Sequence, residues 1–173
     1  MEATSLNEKL SELNLGCIVV IDDNDENLNA IRKVAADCPG VNWVFLASGA
    51  AALEFINDNH REIDLVITDR QMETPDAGLE VLGHAYSFLI PAVIVSGGFQ
   101  HAGKMHTRIY PLSGKDPCGR YPDDMFKDNP ETWIMILNDI IMALHPKSGG
   151  ILAAASLAHK EKGNAPIDFG KDI

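Results

Sequence analysis

Cations are scarce in this chain: Lys and Arg number 14 against 25 Asp and Glu, a formal charge of −11 over 173 residues. Basic side chains that neutralise phosphates supply most non-specific affinity for nucleic acid, so direct nucleic-acid binding is not expected. Cysteines are few as well. Cys17, Cys38 and Cys118 are odd in number and show neither a paired metal-ligand spacing nor a disulfide framework. Cys17 lies inside an apolar run and reads as a small buried side chain. Also absent is any apolar stretch of 18 residues, and MEATSLNEKLSELN has neither the basic nor the apolar part of a signal peptide. These absences together predict a cytoplasmic protein with no membrane span. No GxGxxG or Walker sequence occurs, so a glycine-rich nucleotide cradle is not expected either.

What remains is the composition of an ordinary globular domain, with 46% hydrophobic and 23% charged residues, enough to bury a core. The length suits one domain with extensions. Residues 1–15 read as an N-terminal helical extension, 16–145 as the domain, and 146–173 as a C-terminal tail with a helix. In the extension, Ser5 and Glu8 form a capping-box pattern ahead of Leu6, Leu10 and Leu13 at helical spacing. CIVVI (17–21) is a continuous apolar run suited to a strand covered on both faces. A helix with Leu28, Ile31 and Val34 on one face follows, and Pro39-Gly40 ends it. The unit then recurs: strands WVFLA (43–47), IDLVIT (63–68) and PAVIV (91–95) alternate with helical segments, the second of them capped by Ser48. Between Phe99 and Asp128 only a weak strand over 108–112 is legible. Pro130 then opens a helix with Trp133, Ile136, Leu137, Ile140, Ile141 and Leu144 on one stripe. Alternating strands and helices imply crossover connections, hence a doubly wound α/β sandwich around a parallel sheet. In the tail, alanine-rich ILAAASLAHKEK (151–162) predicts a helix covering apolar surface.

Residues that directly follow parallel strands share one rim, outside the carboxyl ends of those strands. Asp22 and Asp23 follow the first strand here, Asp69 the third and Ser96 the fourth. Three carboxylates converging on one crevice repel one another unless a hard cation sits among them. Mg²⁺ suits such a site because it takes oxygen ligands and commonly binds one or two carboxylates together with phosphate oxygens. Asn24 or Asp25 is better read as the cap of the first domain helix.

The motifs VVIDDND, VITDRQM and VIVSGG, taken jointly over roughly 16–144, resemble response-regulator receiver domains of the chemotaxis-regulator type. That resemblance implies a flavodoxin-like, five-stranded parallel sheet, and the Gly-, Pro- and His-rich segment from Phe99 to Asp128 points to a fourth helix that is short or irregular. It implies that Asp69 accepts a phosphoryl group in a two-component phosphorelay, with Mg²⁺ held by Asp22, Asp23, Asp69 and the backbone carbonyl of Gln71. Ser96 would hydrogen-bond a phosphoryl oxygen. The family's lysine after the fifth strand falls to Lys115, with Lys104 as the alternative. Three departures stand out: Leu112 where an aromatic is usual, Glu73 in place of a proline, and Gly78 one residue late.

The implied partner is a histidine kinase or a histidine phosphotransfer protein, and a homodimer is left open. The tail is too short for a fused output domain, so signalling would run through protein contact. Two rival functions fit less of the pattern: a pseudo-receiver serving as a non-catalytic interaction module, and a small metal-dependent phosphate-ester hydrolase, for which no further acid or base is evident.

Overall fold

The computed structural model describes residues 4–101, 104–111, 119–120 and 125–161. The chain opens with α1 (Leu6–Glu12), whose Ser5–Glu8 capping box forms as its sequence predicts. It continues through β1 (Cys17–Ile21), α2 (Asp25–Ala36), β2 (Asn42–Leu46), α3 (Gly49–Asn59), β3 (Leu65–Thr68) and α4 (Ala77–Ser87). The second half comprises β4 (Ala92–His101), β5 (Lys104–Tyr110), β6 (Gly119–Arg120), α5 (Pro130–Leu144), a 3₁₀ turn (Pro146–Ser148) and α6 (Ile151–Glu161).

Among the described residues the strands form one sheet in the order β2-β1-β3-β4-β5-β6. The first four are parallel, joined by α2, α3 and α4 as crossovers. Strand alternation sends side chains to two cores. Ile18 and Val20 of β1 join Ile31, Ile67, Val95 and Ile136 beneath α1, α2 and α5. Val19 and Ile21 join Ala52, Ile56, Val66 and Val81 beneath α3 and α4. Being apolar on both faces, β1 and β3 read in sequence as unbroken hydrophobic runs.

The expected all-parallel sheet needs correction at its fifth strand. β5 runs antiparallel to β4, pairing Ile94 with Tyr110 and His101 with Lys104. Only two residues separate the strands, so a hairpin replaces the helical crossover that a parallel neighbour would require. Ser96-Gly97-Gly98 does not end β4 as expected. The strand continues to His101, and its register shifts between Ser96 and Phe99, where glycine accommodates an irregularity. β5 itself starts earlier than the weak 108–112 signal, and β6 adds a further antiparallel pair.

α6 lies against α5 and the 3₁₀ turn, burying Leu152, Ala155 and Ser156, while Ile151 is exposed. The tail helix therefore covers its own domain. Its His159 is buried, with Nδ1 3.2 Å from the Phe88 carbonyl and Nε2 2.8 Å from that of Ile63. Lys160 donates to the Leu13 carbonyl at 2.8 Å. No helix among the described residues is long and apolar enough to cross a membrane.

Candidate functional site

The sheet's hydrogen bonding continues one residue beyond its strands and so sets the site. Asp22 N–H donates to the Leu46 carbonyl at 3.1 Å, and Asp69 N–H to that of Ile21 at 2.7 Å. Asp22 and Asp69 are thereby fixed side by side at the carboxyl rim. The loop after Asp69 is tied down in turn. Thr68 Oγ1 donates to the Asp69 carbonyl at 2.9 Å, and Gly78 N–H to the Arg70 carbonyl at 2.9 Å. A Cβ on Gly78 would collide with the Asp69 carbonyl and the Arg70 Cα, so only glycine lets α4 start so close to the site. Glu73 also has a structural use. Its carboxylate accepts from Gly49 N–H at 2.7 Å and Ala50 N–H at 3.4 Å, capping α3 together with Ser48.

Carboxylate oxygens of Asp22, Asp23 and Asp69 lie within 4.8 Å of one another. Asp22 is buried and Asp23 exposed, as their adjacency at a strand end dictates. Asp22 Oδ1 accepts from Asn24 N–H at 2.9 Å and Oδ2 from the Asn27 amide at 3.1 Å. Asn24 caps α2 through Glu26 N–H and Asn27 N–H, which confirms its reading as a cap. The three acids share a cavity of about 460 Å³ with Ser96, Gln71 and Arg70. Ser96 is half-buried on its wall and Gln71 exposed. The positions named from sequence at Asp22, Asp23, Asp69, Gln71 and Ser96 are thus brought together.

Sequence reasoning missed the lysine that the fold brings here, Lys127. Its ammonium donates to Asp22 Oδ2 at 2.7 Å, Asp69 Oδ1 at 2.8 Å and the Val95 carbonyl at 3.0 Å, and the side chain is only 5% exposed. Lys115 lies outside the described residues, and of Lys104 the structure describes the backbone in β5 alone. A signal for Lys127 does exist in FKDNP (126–130). Asn129 and Pro130 mark the start of α5, and a helix returning across the sheet starts at the carboxyl rim, which puts Lys127, two residues before its cap, beside the acids.

Burial raises the Asp69 carboxyl above its ordinary range; the Lys127 charge and hydrogen bond lower it, Asp22 raises it further, and the net direction is up. The donor set is all oxygen, which suits a hard divalent cation. Asp22 already accepts from three donors, whereas the exposed Asp23 and the adjacent Asp69 are better placed to reach an ion from the cavity. The acidic cluster can therefore hold a metal ion. Comparison with protein-family models, curated proteins and solved structures finds no match for this chain.

Proposed function

We propose that the chain is a receiver-type phosphoacceptor of a cytoplasmic two-component phosphorelay, built on a variant of the flavodoxin-like fold, with Asp69 as acceptor and Mg²⁺ as cofactor. The observation that carries this reading is the Lys127 ammonium hydrogen-bonded to both Asp22 and Asp69 inside an acidic cavity at the strand-end rim. An Asp69 oxygen attacks the phosphorus of a phosphohistidine in line, the P–N bond breaks, and the imidazole departs with its electron pair. Lys127, fixed by the Val95 carbonyl, offsets negative charge beside the acceptor oxygen. Ser96 stands on the same cavity wall to donate to a phosphoryl oxygen. Asp23, Asp69 and the Gln71 carbonyl would hold the Mg²⁺, with Asp22 acting largely through water. When bound, the ion neutralises charge on the phosphoryl oxygens. The donor would be a histidine kinase or a histidine phosphotransfer protein.

The antiparallel β5 supports a second reading, a pseudo-receiver that binds partners without phosphorylation. Replacing the usual crossover by a hairpin changes the surface beside the site, where a switching helix would otherwise lie. Intact mass separates the two. After incubation with Mg²⁺ and acetyl phosphate, the phosphoacceptor gains one labile phosphoryl group, and Asp69→Asn gains none. A wild-type mass that does not change under these conditions would leave the interaction module as the better account.

A further inference from the structure

Lys127 is held at both ends. Its ammonium lies between the two acids, and its backbone carbonyl accepts from the Trp133 indole N–H at 2.6 Å. Trp133 is 2% exposed and packs in the core beneath the sheet with Ile136 and Leu137. The residues around Lys127 are pinned as well: Thr107 Oγ1 donates to the Met125 carbonyl at 2.8 Å, and Asn129 N–H to that of Phe126 at 3.1 Å. The Lys127 side chain is only 5% exposed, so its stem is packed and the position of its ammonium is tied to that of its backbone. A buried indole N–H left without an acceptor bears the full desolvation cost of that group. Packed cores do not deform continuously, so a displacement at Lys127 carries the indole with it. Next to Trp133 on α5 stand Ile134 and Met135, both more than 40% exposed.

We propose that Trp133 is a positioning residue for the acid pocket: its indole holds the Lys127 backbone, so an occupant that draws the Lys127 ammonium from Asp22 and Asp69 shifts Trp133 and the exposed apolar stretch of α5 beside it. The relay rests on the phosphoacceptor reading only for the identity of the occupant, since a divalent cation in the same pocket acts on Lys127 in the same way. It gives the site a route to α5 that does not pass through β4 or β5.

Trp43 is the other tryptophan, and its indole bonds the Cys38 carbonyl, far from Lys127 in the chain. The test follows Trp133 emission in Trp43→Phe protein during titration with Mg²⁺, then with Mg²⁺ and acetyl phosphate, with intact mass read in parallel. Emission should change on occupancy, and the change should vanish in Trp43→Phe/Lys127→Met protein. Trp133→Phe, which keeps an aromatic ring of smaller size and loses the N–H, should slow phosphoryl gain roughly threefold to tenfold, as expected for one lost hydrogen bond. Should that variant fail to fold, the two emission arms decide alone. Unchanged emission in protein whose mass shows the phosphoryl group overturns the relay and leaves the Asp69 reading intact. An emission change with Mg²⁺ and no gain of mass supports the relay and overturns that reading, and silence in both overturns both. Persistence of the change without Lys127, or a wild-type rate in folded Trp133→Phe, also overturns the relay.

Discussion

At Asp69, desolvation and the Asp22 charge outweigh the help of the Lys127 ammonium, so the carboxyl binds its proton more tightly in the folded chain than in the unfolded one. A raised carboxyl pKa contributes stability that is full below the unfolded value, here 3.8, and is lost as pH rises through the folded value. At neutral pH the ionised Asp69 therefore costs stability, which Asn avoids while still accepting from Lys127. Asp69→Asn should melt above wild type at pH 7, and the gap should close as pH falls towards 3.8. Thermal melts of both proteins across that interval check it; a gap that widens on acidification would contradict the balance drawn here. The acids of the site were legible because they directly follow apolar runs. Lys127 was not, because a lysine's reach depends on where its backbone sits, and that is set by the Trp133 indole on the core face of α5 and by the bond of Thr107 to neighbouring Met125, which only the fold brings together.

At the scale of elements, legibility follows burial. β1 and β3 are covered on both faces and contain nothing but apolar residues and one threonine, so they announce themselves. α5 is equally plain, with an Asn129 cap, Pro130 at its first turn and a stripe of Trp133, Ile136 and Ile140. The β4–β5 hairpin was obscured by glycine and histidine in strand positions, residues that β propensity disfavours or leaves neutral. Its direction is decided by the short connection, which periodicity does not report. In sequence, Glu73 and Gly78 stand out only as departures from the receiver pattern. In the fold one caps α3 and the other lets α4 approach Asp69. α6 was expected from alanine content and spacing, yet its anchor is polar: both His159 ring nitrogens lie against carbonyls of Phe88 and Ile63. His159→Ala removes the imidazole N–H donor that these two carbonyls share access to, and should destabilise the protein by about 1–3 kcal/mol. Denaturant melts supply the number, and hydrogen exchange should show α6 amides losing protection first. Equal stability in the two proteins would mean that Leu152 and Ala155 hold the helix without help.

For the whole molecule, a formal charge of −11 and a strand-end cavity lined by Asp22, Asp23, Glu26, Asp69 and Asp128 act in the same direction. Among the described residues the cavity sets Lys127 and Arg70 against these five acids, and Arg70 is exposed. The folded state gathers like charge that the unfolded chain disperses, so a divalent cation should prefer the folded state. By linkage the gain in stability is RT ln(1 + [L]/Kd), about 2.7 kcal/mol at a hundredfold excess over Kd. Added Mg²⁺ should accordingly raise Tm in a saturable way, beyond any rise produced by NaCl at matched ionic strength, since simple screening acts on exposed charges alone. Asp23→Asn should move the Mg²⁺ midpoint to higher concentration with little effect on the metal-free Tm, because Asp23 is exposed. Lys127→Met removes the buried cation that bridges Asp22 and Asp69, so it should melt lower without metal and recover more on adding Mg²⁺ than wild type does. That inversion separates a specific site from diffuse counterion binding. If Mg²⁺ moved all three proteins by the same amount, the acidic cavity would be a patch of surface charge and the reading of Asp69 as an acceptor beside a metal would lose its footing.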